Sequence, residues 1–183
     1  MKKIIIGSLV GAILLFGWQS LSWTVMGVHN IALKYTPAQE VIMSTLSSSL
    51  TEEGQYMIPR LPDGASHKEM EEAMKKNEGK PWAIVTYHKE QKTDMLMPIL
   101  IGFLVCFVCV WICCRVVVRM AYKNFFEVFL TTLSFGAVCF LFVWYMGHNW
   151  MHIPWDVLKG ELIDDLAGWG LTGVWLGWWY SRK

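Results

Sequence analysis

Four apolar windows long enough to cross a lipid bilayer constrain this chain more than any other feature. A helix needs about 20 mostly apolar residues to cover roughly 30 Å of hydrocarbon. Residues 4–28, 95–114 and 125–146 meet that need, with Pro98 tolerated in the first turn of the second window. Residues 161–180 meet it less well, because Asp164 and Asp165 interrupt the apolar run. Of the whole chain, 54% is hydrophobic and the mean hydropathy is +0.35. A soluble domain is nearer about 45–50% apolar. The expected class is a mainly α membrane protein with four transmembrane helices and the bilayer as its first partner. Its 183 residues allow one unit rather than several domains. A net charge of +1 leaves no basic footprint for nucleic acid.

Lys2-Lys3 and the apolar run after them also fit a signal peptide. Against cleavage, the run continues through Trp23, Val25 and Met26, and Ser20-Leu21-Ser22 is a poor cleavage site. An uncleaved anchor is expected. With four spans, Lys2, Lys3, Arg115, Arg119, Lys123, Arg182 and Lys183 fall on one side, with Glu127 the only acid near them. The short loop before the fourth window holds Asp156, Glu161, Asp164 and Asp165 against Lys159. Lys/Arg bias in short loops sets topology, so both termini are expected in the cytoplasm of a bacterial inner membrane.

Residues 31–93 form the one long polar segment, expected as a small extracytoplasmic α+β insertion between helices 1 and 2. Thr36-Pro37-Ala38-Gln39 reads as a helix start, and Ser66-His67-Lys68-Glu69 as a capping box for a second helix to about Asn77. Gly54 is expected to stop the first helix. Gln55–Ile58 and Trp82–His88 carry strand-forming residues and are expected to pair. About 60 residues make a marginal core alone, so the insertion should rest on the membrane domain or on a partner.

The outer ends of the windows hold an unusual set of polar groups. Gln19, His29 and Asn30 leave the first, while His148, Asn149 and His152 leave the third. Asp164 and Asp165 would lie about 5–9 Å inside the hydrocarbon, counted back from the Trp178-Trp179-Tyr180 belt. An acid at that depth should face the bundle and find a partner, with Gln19, His29, His148 and Lys159 as the candidates. These eight residues are the candidate site, read either as polar glue between helices or as a ligand, proton or metal site.

No cofactor is predicted. Copper is the alternative, because Met, His and Cys suit Cu(I) and Met26, Met146, Met151 and Cys106-x-x-Cys109 lie in the apolar windows and their ends. The spacings match no closed site, which leaves the metal open. Gly7-x-x-x-Gly11 and Gly173-x-x-x-Gly177 are faces that let helices approach closely, for packing of span one on span four or for a homodimer. There is no phosphate-binding loop, G-x-S-x-G elbow, H-E-x-x-H or C-x-x-C-H.

Trp18–Asn30 (WQSLSWTVMGVHN), Gly54-x-Tyr56-x-x-Pro59, Gly79-Lys80-Pro81-Trp82-Ala83, His148-Asn149-Trp150 and Asp164 with Gly168-Trp169 resemble motifs of a family of small four-helix bacterial inner-membrane proteins. Here Gly27-Val28 stands where that family tends to have Pro-Trp. The resemblance implies the architecture and no activity. The function expected is that of a non-enzymatic accessory or structural component presenting the insertion to an envelope partner. The alternative is a small transporter or a metal- or solute-binding membrane protein using the outer polar cluster.

Overall fold

In the computed structural model, residues 1–182 are described; Lys183, counted above with the basic flanks, lies outside them. The chain is mainly helical and divides into two units, Met1–Lys34 with Asp94–Lys183, and Tyr35–Thr93.

In the first unit, α1 (Lys2–Leu21) runs on through a wide π-helical turn, Ser22–Met26. It is followed there by α4 (Leu96–Val117), α5 (Phe125–Cys139), the short α6 (Met146–Met151) and α7 (Trp155–Ser181). A second π-helical stretch, Phe140–Tyr145, joins α5 to α6. Three continuous helices are long and apolar enough to cross a membrane: Lys2–Met26, Leu96–Val117 and Phe125–Met151. Their apolar side chains stay on the outside, as at Leu104, Val105, Val138 and Phe142. That distribution suits helices whose solvent is lipid.

Packing runs through α7, which contacts both α1 and α5, while α4 packs on α1. The core joins Ala12 and Leu15 of α1, Cys106, Val110, Cys113 and Val117 of α4, Val128 of α5, and Trp169, Leu176 and Tyr180 of α7. Glycines set the close approaches. A Cβ on Gly11 would lie 2.7 Å from Val110 and 3.2 Å from Thr172, and one on Gly7 would meet Trp179 and Tyr180 at 3.2–3.3 Å. Gly173 and Gly177 instead face α5, where the Phe129 and Phe125 carbonyl oxygens are 3.2 Å and 2.9 Å from the Cβ each glycine lacks. The Gly7/Gly11 face thus packs on α7, as expected, with Val110 of α4 beside it, while the Gly173/Gly177 face packs on α5. The start of α1, the end of α4, the start of α5 and the end of α7 meet at one end of the bundle, where Tyr180 neighbours Gly7 and Cys114, and Gly177 neighbours Phe125.

The second unit contains α2 (Gln39–Ser49), β1 (Gly54–Ile58), α3 (His67–Asn77) and β2 (Ala83–Tyr87). The strands pair antiparallel, Gly54 opposite Tyr87 and Ile58 opposite Ala83. Ser66 caps α3 reciprocally with Glu69. α2 begins at Gln39, two residues later than the Thr-Pro pattern suggests, because Thr36 Oγ1 accepts from Ala38 N and holds the preceding turn. It ends at Ser49, where Leu50 turns extended; Gly54 starts the strand instead of stopping the helix. α2 and α3 have no buried residue, and Val41 (69% exposed) and Met74 (75% exposed) lie open.

Candidate functional site

Asp164 sits in an otherwise apolar helix, and an unpaired carboxylate there would be costly. α1 and the turn after it provide its partners. Trp18 Nε1 donates to Asp164 Oδ1 at 3.1 Å, and His29 Nε2 donates to Asp164 Oδ2 at 2.9 Å. His29 and Asp164 are both buried. The other ring nitrogen, Nδ1, faces Glu161 Oε1 at 3.8 Å. Glu161 and Asp164 are three residues apart on α7 and so share a face.

Local backbone explains how His29 reaches that face. Helix α1 widens at Ser22–Met26 and stops at Gly27, whose φ of 62° is left-handed. A side chain at Gly27 would be strained by that backbone and would meet Asn30 Nδ2 at 2.7 Å. The chain then folds back, and the Trp23 ring stacks on His29 with centroids 3.8 Å apart and planes at 9°. On α7, Gly160 makes room: a Cβ there would lie 2.9 Å from His29 Nδ1. The imidazole is thus held by an indole, two carboxylates and a glycine. π-helical turns often occur at functional positions, since they rotate the following residues off the α-helical register.

The other sequence candidates are placed elsewhere or more loosely. Asp165 is half-buried, and its Oδ2 has no hydrogen-bond partner among the described residues; neither has the buried Ser22 Oγ. Gln19 is exposed, with its Oε1 accepting from Cys106 Sγ at 3.6 Å. Asn30 and Asn149 are exposed. His148 belongs to a second cluster, where Nδ1 donates to the Ile153 carbonyl at 2.6 Å and the ring lies 4.8 Å from Trp155. His152 is exposed and left-handed, with φ 53°. Lys159 pairs with Asp156 at 3.3 Å, not with Asp164, and Asp156 also faces Lys34 at 3.7 Å.

Trp18, Glu161 and Gly160 complete the His29 cluster, although sequence reasoning did not include them. The signal for Glu161 was its spacing from Asp164. Trp18 stands beside Gln19 at the polar outer end of the first window, and its indole N–H is the signal for a donor.

Among the described residues, no three His, Cys, Asp or Glu side chains are arranged to hold a metal ion. The five cysteines are free thiols, and Cys113 donates to Thr132 Oγ1 at 3.7 Å. The cluster fastens the turn after α1 to α7. Comparison of the chain with protein-family models, curated proteins and solved structures finds no match, so the likeness noted in the sequence stays at the level of short motifs.

Proposed function

We propose that this chain is a non-enzymatic accessory or structural protein of a bacterial inner membrane, presenting residues 31–93 on the extracytoplasmic side to an envelope partner. The observation that carries the reading is the uncovered apolar surface of the Tyr35–Thr93 unit. Val41, Ile42, Met43, Met70 and Met74 are exposed on two helices that bury nothing. A folded unit with this much open apolar surface and a two-stranded sheet gains stability from a contact.

In this reading α7 is the fourth span. At 27 residues it is about 40 Å long, enough to cross, and the His29 and Trp18 bonds offset much of the cost of Asp164. Lys2, Lys3, Arg115, Arg119, Lys123 and Arg182 then share the cytoplasmic end with Glu127, giving both termini inside. The His29 cluster, whose atoms are largely satisfied by one another, acts as a clasp at the opposite end.

Photo-cross-linking residues placed at Val41 and Met74 in living cells test the partner role. A discrete adduct from these positions, absent when the probe replaces Lys80 or Gly64, is the expected result. Unmodified monomer from every position would contradict it.

A second reading is favoured by one observation, the buried Asp165 Oδ2 and Ser22 Oγ, which have no hydrogen-bond partner among the described residues. They leave hydrogen-bonding capacity for a solute in a small transporter or solute-binding protein. Ligand-dependent thermal stabilisation that vanishes in Asp165→Asn would favour this reading, and unchanged melting across solutes, copper and zinc would remove it.

A further inference from the structure

Near the start of α1 and the end of α7, Lys3 and Arg182 come together, and among the described residues no acid pairs with either. Lys3 is pinned through its own carbonyl, which accepts from Trp179 Nε1 at 2.8 Å and from the Tyr180 hydroxyl at 3.4 Å. Its ammonium donates to the Arg182 carbonyl at 3.0 Å. The Arg182 guanidinium lies 3.5 Å from the Trp178 ring centroid, and the Trp175, Trp178 and Trp179 rings are neighbours at 5.3–6.2 Å. Among the described residues, neither Lys3 nor Arg182 makes an ion pair, and both are exposed. The Lys3 ammonium, on the Arg182 carbonyl, and the Arg182 guanidinium, over Trp178, put two cations on one surface, which favours an anion there.

The surface beside them defines the anion. Leu171, Val174 and Trp178 are exposed at helical spacing and form one apolar stripe on α7, which leads directly to Arg182. An amphiphile with an apolar tail along that stripe would bring its head between Lys3 and Arg182. A guanidinium recognises phosphate through paired N–H donors, while Lys3 adds a point charge. Trp178 would sit at headgroup level, where indoles are favoured.

We propose that Lys3, Arg182 and Trp178 form a headgroup site for an anionic phospholipid, with its acyl chain along Leu171 and Val174. The site rests on insertion of the helices in a bilayer and is independent of any partner for residues 31–93. It adds to a general basic bias a defined position, a pinned lysine and an apolar stripe for the tail.

The test uses the full-length protein in mild detergent, titrated with phosphatidylglycerol or with phosphatidylcholine of the same acyl chains, and read by thermal unfolding and by native mass spectrometry. Phosphatidylglycerol should raise the melting temperature and be retained, and phosphatidylcholine should do so far less. Lys3→Gln and Arg182→Gln should each weaken phosphatidylglycerol by about fivefold, the effect of roughly one basic residue near an anionic surface. Lys3→Arg keeps the charge and should keep the preference, and Lys34→Gln at the other end should leave it unchanged. Equal retention of both lipids would overturn the proposal. So would equal loss in Lys3→Gln and Lys3→Arg, or the same stabilisation by inorganic phosphate alone.

Discussion

His29 Nε2 lies 2.9 Å from Asp164 Oδ2, joining the turn after α1 to α7 across 135 residues of sequence. Both side chains are buried, so removing one leaves the other with an unmet polar group. His29→Ala and Asp164→Ala should each lower stability by about 3 kcal/mol. The double variant should cost much less than the sum, because the two losses are one interaction. Unfolding in detergent, followed by helical circular dichroism, measures all three.

Gly160 is the least conspicuous member of that cluster and the easiest to test. Its missing Cβ would lie 2.9 Å from His29 Nδ1, so Gly160→Ala should push the imidazole off the Trp23 ring. A loss of about 1–3 kcal/mol is expected, the usual cost of overpacking. Tryptophan emission should change with it, and not in a Trp23→Phe background.

Among the other glycines, sign rather than size separates the packed from the free. Gly177→Ala places a Cβ 2.9 Å from the Phe125 carbonyl oxygen, which is backbone and cannot swing away. It should destabilise the bundle. Gly170→Ala has nothing within 4 Å and should gain about 0.5–1 kcal/mol from helix propensity. Thermal melts of the two single variants should move in opposite directions.

In the Tyr35–Thr93 unit, Glu69 gives a pH prediction. The Ser66 hydroxyl, and then the Ser66 backbone N–H, donate to its carboxylate and hold its carboxyl below the usual value. A folded-state value below the unfolded one contributes stability above the unfolded value, and that contribution is lost as pH falls through the folded one. Amide exchange in α3 should therefore speed up on acidification. Ser66→Ala should show faster exchange already at neutral pH, with a loss of about 1 kcal/mol from the cap.

What could be read in the sequence divides along physical lines. Apolar length alone marks Lys2–Met26, Leu96–Val117 and Phe125–Met151, because crossing hydrocarbon is a requirement on composition. The Ser66–Glu69 box is equally local and forms as its spacing implies. Asp164 announced its need for a partner by standing in an apolar run, and His29 was among the groups able to meet it. The means of meeting was not legible. A wide turn at Ser22–Met26 and a left-handed Gly27 decide where His29 points, and no residue pattern in SWTVM marks that turn. His148, with the same His-Asn signature, goes instead to the Ile153 carbonyl, because the α6 break folds residues 152–154 back on it. The glycine faces were recognisable as close approaches, but their partners depend on the order in which helices pack.

The number of crossings is the central claim, and an enzyme reporter active only outside the cytoplasm tests it most directly. Inserted at Gly64 and at Ile153 it should be active, and inserted at Tyr122 or fused after the last residue it should be silent. Activity at the C-terminus matching that at Gly64 would mean that α7 does not cross, and would contradict the four-span architecture.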